Sequence, residues 1–105
     1  MNKNFKIKKG DEFSFSVAFK NLTKEPNEVL FGVKSEYNNQ DYNLLLKIGK
    51  GIQRIDTYKY VVRISPEECN KLKINNYVYD LRFKIDDTIK TPLSGKLVIS
   101  DVVFK

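Results

Sequence analysis

Apolar and polar residues alternate along most of this chain with a period of two, the repeat of a strand that packs one face and wets the other. Phe5 and Ile7 alternate with Lys6 and Lys8. After a break at Gly10-Asp11, Phe13, Phe15, Val17 and Phe19 point one way against Ser14, Ser16, Ala18 and Lys20. Val29, Phe31 and Val33 repeat the pattern across 28–36, where Gly32 marks either a bulge or a close backbone approach. Tyr42, Leu44, Leu46 and Ile48 continue it, with Leu45 making the segment partly two-sided. In 53–65 the inward set is Ile55, then Tyr58, Tyr60, Val62 and Ile64, and the change of phase at Asp56-Thr57 predicts a bulge or a bend. Residues 72–83 carry Tyr77, Tyr79, Leu81 and Phe83 inward against Val78, Asp80, Arg82 and Lys84, and a turn at Asp86-Asp87 returns the chain through a closing strand over 91–102. The intervening 21–27, 37–41 and 49–51 have the composition of turns.

One segment breaks the alternation. Ser65-Pro66-Glu67-Glu68 offers a serine N-cap, a proline in the first turn and a glutamate able to close a capping box. A helix is predicted near 66–73, with Cys69 and Leu72 on its inner face and Asn75-Asn76 at its end. A helix of about two turns does not persist alone, so it must pack across the end of a sheet.

The pattern therefore predicts an all-β domain: an immunoglobulin-like antiparallel sandwich of about seven strands. Its short helix lies between the fifth and sixth, and Tyr77 or Tyr79 is placed as the tyrosine near the start of the penultimate strand. The rival is an OB-like barrel of five strands with a helix between the third and fourth. It would imply a single-stranded nucleic-acid binder, with Tyr37, Tyr42, Tyr58 and Tyr60 as stacking platforms. Tyrosines at strand spacing more commonly serve cores or interfaces.

The run Leu72-x4-Tyr77-x-Tyr79-Asp80-Leu81, followed by Thr91-x-Leu93-x-Gly95-x-Leu97-x-Ile99-x-Asp101-Val102, resembles the C-terminal half of small immunoglobulin-like sandwiches in tailed-phage structural proteins. Lys8-Lys9-Gly10-Asp11 is similar to the approach to their second strand. Asn76 stands where such domains often have glycine; asparagine tolerates a left-handed backbone, so a tight turn is expected there. The resemblance implies a non-enzymatic structural or assembly protein of a virion, in the tail, baseplate or neck or associated with the capsid. Such a protein is synthesised in the bacterial host cytoplasm and contacts other virion subunits, as a homo-oligomer or array.

Composition narrows the chemistry. At 105 residues, 1–105 is expected to be a single domain. The net charge of +6 is shared evenly, +3 in 1–52 and +3 in 53–105, and sixteen of the nineteen basic residues are lysine. Base readout and bidentate phosphate contact favour arginine, so the charge reads as a solvated exterior and nucleic acid is not the expected partner. The first residues lack an apolar core of the signal-peptide kind, and no apolar run reaches the ~20 residues that cross a bilayer.

There is no histidine, which removes Ser-His-Asp and Cys-His catalysis and the commonest metal ligand. The single Cys69 reads as a small buried hydrophobe. Glu67-Glu68 suits a first helical turn and Asp86-Asp87 a reverse turn, and Gly49-Lys50-Gly51 lacks the spacing of a phosphate loop. No catalytic residue, cofactor or metal site is expected. Interface candidates are the apolar end at Val102, Val103 and Phe104, then the positive cluster Lys6, Lys8 and Lys9. That cluster also reads as a charged edge strand, which discourages sheet-to-sheet pairing.

Overall fold

The structure, a computed structural model, describes residues 2–20, 22 and 24–103. Among them are eight strands and one helix: β1 (Phe5–Lys8), β2 (Phe13–Ala18), β3 (Glu28–Lys34), β4 (Leu44–Ile48), β5 (Gly51–Arg54), β6 (Lys59–Ile64), α1 (Pro66–Lys71), β7 (Asn75–Ile85) and β8 (Thr88–Ser100). Hydrogen bonding runs in the order β1-β8-β7-β3-β4-β5-β6-β2. This ribbon is folded into two layers, with β1, β8, β7, β3 and β4 in one and β5, β6 and β2 in the other. The chain crosses between layers at Gly49-Lys50-Gly51. Both glycines have φ of +89°, and only Lys47–Gly51 and Ile48–Ile52 are paired across the corner, in parallel. The other pairings are antiparallel except β1 beside β8.

The inward sets of the alternating segments meet between the layers. Val29, Phe31, Val33, Leu46, Tyr60, Val62, Ile64, Tyr77, Tyr79, Leu81, Leu97 and Ile99 are buried there. Ring contacts join the layers, Phe15 to Phe31 at 5.7 Å and Phe19 to Phe83 at 4.7 Å between centroids. This is a sandwich with a core between its layers, not a closed barrel, and it replaces the OB alternative.

Several expectations need correction. The segment 53–65 is not one bent strand: β5 and β6 form a hairpin, closed by Ile55 and Asp56 amides donating to the Lys59 carbonyl at 2.8 and 3.3 Å. Ile52, not Ile55, is the buried residue of β5, while Ile55 and Tyr58 are about half exposed on the turn. That hairpin makes the strand count eight rather than about seven. Tyr42 precedes β4 and is exposed, its ring lying over Gly32. A Cβ at Gly32 would come within 2.6 Å of that ring, and β3 keeps unbroken register with both neighbours, so the glycine serves a close approach and not a bulge. Asn76 lies in β7 with an ordinary backbone; among the described residues the one non-glycine with positive φ is Asp86, at +52° in the β7–β8 turn.

Helix α1 stops at Lys71, short of Asn75-Asn76. Its capping box is complete: Ser65 Oγ accepts from the Glu68 amide at 3.1 Å, and Glu68 Oε1 accepts from the Ser65 amide at 3.4 Å. Cys69 and Leu72 are buried beneath it, and the Cys69 thiol donates to the Lys8 carbonyl at 3.5 Å. Ser65→Ala is expected to lower stability by about 1 kcal/mol through the lost cap. A urea denaturation midpoint identical to that of the parent protein would show that burial of Cys69 and Leu72 holds the helix without it.

Candidate interaction surface

The two ends of the hydrogen-bonded ribbon, β1 and β2, are protected differently. β1 presents Lys6 and Lys8 outward, both exposed. This is the charged edge strand its sequence suggests, and a neighbouring strand would have to displace or pair those charges. Lys9 is occupied within the fold: its Nζ donates to the Asn70 carbonyl at 2.8 Å and the Leu72 carbonyl at 2.9 Å, satisfying carbonyls at the C-terminal end of α1.

β2 has no such protection. Its outward residues are Ser14, Ser16 and Ala18. The Phe19 amide donates to the Tyr58 carbonyl at 2.8 Å, and Phe13, Phe15 and Val17 lie opposite Ile64, Val62 and Tyr60. Backbone groups alternate sides along a strand, so the odd-numbered residues bond to β6 and the amides and carbonyls of Ser14, Ser16 and Ala18 face away from the sheet.

Beside this edge the sandwich is open. β1 covers β8 only from Leu97 to Ser100, with one further bridge from Asn2 to Ser94, so among the described residues no strand flanks Thr88–Leu93 on that side. Between it and β2 runs a groove of about 1010 Å³, floored by Phe15, Val17, Phe19, Phe83, Ile85 and Leu93. Its rim carries Lys3, Lys20, Lys24 and Lys90 against a single carboxylate, Asp86, which is paired with Lys24. Thr91 and Pro92 form a bulge opposite Arg82, a position where proline does not interrupt the ladder.

Elsewhere the polar groups serve the fold. Tyr77 Oη donates to the Lys73 carbonyl at 2.8 Å, so Tyr77 and not Tyr79 is the tyrosine that ties the start of the penultimate strand back to the preceding connection. Burial raises its pKa in spite of that bond. Tyr79 Oη donates to the Lys3 carbonyl at 2.5 Å, and burial pushes its phenol up to about 12. A hydrogen bond from Arg63 at 2.6 Å holds the Glu12 carboxyl below its ordinary range and joins β6 to the start of β2. Arg54 donates to Tyr60 Oη at 3.3 Å and to the Pro26 carbonyl at 3.1 Å, and pairs with Glu25 at 2.8 Å, fastening the 24–27 loop to the smaller layer.

β8 ends at Ser100. Val102 beyond it is half-buried and Val103 is 91% exposed, while Phe104 lies outside the described residues. Tyr60 is buried; Tyr37 and Tyr42 border a shallow hollow with Lys34, whose Nζ sits 4.6 Å from the Tyr42 ring, and Tyr58 lies on the hairpin of the other layer. Among the described residues no group of three or more Cys, Asp or Glu side chains is arranged to hold a metal ion.

Sequence reading missed the groove. Phe15, Val17 and Phe19 were legible as one apolar face, but only the topology puts them at an open side. The available signal was the absence of any charge on the polar face of 14–18.

No protein-family model matches the chain, and no curated protein matches it in sequence. Solved structures do resemble it. The NK-cell receptor NKp44, described as a triggering partner in natural cytotoxicity, superposes with a TM-score of 0.52 at 13% identity, over 95% of this chain and 99% of that one. The extracellular domain of the voltage-gated sodium channel beta4 subunit, described in parallel homodimers that explain its role in cell-cell adhesion, gives 0.51 at 11% identity, over 97% and 93%. At such identities the likeness is one of architecture: this chain has an immunoglobulin-like β-sandwich fold.

Proposed function

We propose that this chain is a non-enzymatic structural module of a tailed-phage virion, in the tail, baseplate or neck or associated with the capsid, and that it acts through contacts with other virion subunits. The observation that carries the contact reading is the bare β2 edge above an apolar groove, a surface suited to another polypeptide. The virion assignment rests on the sequence pattern of 8–11 and 77–102, which resembles phage sandwich domains. The two structural neighbours, one described as a triggering partner and the other by a role in cell-cell adhesion, are in keeping with a sandwich that works by binding.

Mass spectrometry of gradient-purified particles of the phage encoding it should find the chain at fixed stoichiometry to the other structural proteins. Its absence from intact particles would overturn the reading. Val102, Val103 and Phe104 remain the first contact proposed from sequence. They follow the last residue of β8, so truncation after Asp101 is expected to cost the isolated domain no more than about 1 kcal/mol in urea unfolding, the loss coming from half-buried Val102. Incorporation into particles should fall. Normal incorporation of the truncated chain would move the contact away from that end.

A further inference from the structure

We propose that the groove beside β2 is a strand-acceptor site, which binds an extended, acidic-flanked apolar segment of a different protein as an additional strand of the smaller layer. This deepens the proposed assembly role and rests on its premise that the chain works by protein contact.

Three features converge. The first is the backbone: Ser14, Ser16 and Ala18 turn amides and carbonyls outward along an edge with no lysine, proline or bulge of its own, in a protein whose other edge is guarded by Lys6 and Lys8. Such an edge supplies main-chain affinity to an incoming strand. The second is the floor. A strand beside β2 sets alternate side chains into the gap between layers, over Phe15, Val17, Phe19 and Leu93, and those positions must be apolar. β2 is six residues long, which sets the paired part of the guest at a similar length.

The third is charge. Four lysines surround the groove, and the ion pair of Lys24 with Asp86 leaves Lys3, Lys20 and Lys90 to set the sign of the rim. A guest flanked by Asp or Glu complements that rim, whereas one flanked by Lys is repelled. This disfavours a second copy of the chain, which carries a net charge of +6.

The test uses two synthetic peptides, Glu-Glu-Val-Thr-Ile-Thr-Val-Glu-Glu and its Lys-flanked counterpart, with amide exchange and chemical shifts followed by NMR on the isotopically labelled full chain. The acidic peptide should slow exchange at Ser14, Ser16 and Ala18 and bind at least about tenfold tighter than the basic one at low salt. Reversing the rim with Lys20→Glu and Lys90→Glu should invert the preference while leaving the fold intact by circular dichroism. Ala18→Pro, which removes an outward amide not used in the β2–β6 ladder, should abolish binding of both.

Absence of binding at roughly 1 mM peptide, where even millimolar affinity registers, would overturn the proposal. So would binding without protection of the β2 edge, or equal binding of the two peptides. Dimerisation through the β2 edge in the absence of peptide, seen by analytical ultracentrifugation, would assign the groove to a second copy and overturn it too. The virion reading fails separately: a chain missing from particles that still discriminates the peptides keeps the groove and loses that setting.

Discussion

Tyr79→Ala is expected to destabilise the domain by roughly 3–5 kcal/mol, the usual cost of removing a large aromatic ring from a core. Tyr79 is 1% exposed, and its ring lies 5.3 Å from both Phe5 and Phe31, so it joins β1 to the centre of the larger layer. Its hydroxyl adds a second bond to β1's approach, through the Lys3 carbonyl. Single domains are stable by only about 5–15 kcal/mol, so the alanine variant should melt at a much lower temperature or fold only in part at 25 °C.

Tyr79→Phe separates the two contributions. It keeps the ring and should cost about 1 kcal/mol for the hydrogen bond. It also tests the pH dependence. The folded-state pKa is about 12, above the ordinary value of 10.0, so folded protein holds a proton that unfolded protein has already released. The stabilisation is complete below the unfolded value and is lost as pH rises through the folded one, between about 10 and 12. Urea midpoints measured upward through that window should fall more steeply for the parent than for the phenylalanine variant. Equal slopes would mean that the phenol titrates as it does in water. An alanine variant losing less than ~1 kcal/mol would place the ring outside the core.

Much of the core was legible because strand periodicity is a local property. The inward sets of β2, β3 and β7 follow from alternation alone, and the capping box announced the start of α1 one residue before it. Failures came where two solutions share one local pattern. Around Asp56-Thr57 a phase change is compatible with a bulge or with a hairpin, and pairing of Arg54 with Tyr60 decides for the hairpin. Tyr42 alternates correctly with Leu44, yet its ring finds a place on the outer surface because Gly32 across the sheet leaves one vacant. Asn76 stands in for a glycine whose freedom this chain does not use. The groove depends on which strand lies at the end of the ribbon, a long-range property that no window of sequence contains.

Gly95 shows the same dependence on distant partners, and Gly95→Ala is expected to cost about 1–3 kcal/mol, as overpacking usually does. The residue pairs with Tyr79 in the β7–β8 ladder, and its φ of +159° is one that residues with a side chain rarely adopt. Space adds to that cost. A Cβ at this position would collide with the Lys3 carbonyl oxygen and lie 2.8 Å from its carbon, and backbone cannot yield as a flexible side chain can. That carbonyl is the acceptor for Tyr79 Oη, and the Lys3 amide is held by the Ser94 carbonyl at 2.9 Å. Alanine must therefore lift 2–4 off β8 and stretch the tyrosine's bond. Faster amide exchange at Lys3 should accompany the stability loss, with Leu97–Ser100 still protected by β1. Because both substitutions act on one carbonyl, Gly95→Ala and Tyr79→Phe should be non-additive, with a coupling on the order of 0.5–1 kcal/mol in a double-mutant cycle. Strict additivity would show that the glycine and the tyrosine hold the start of the chain independently.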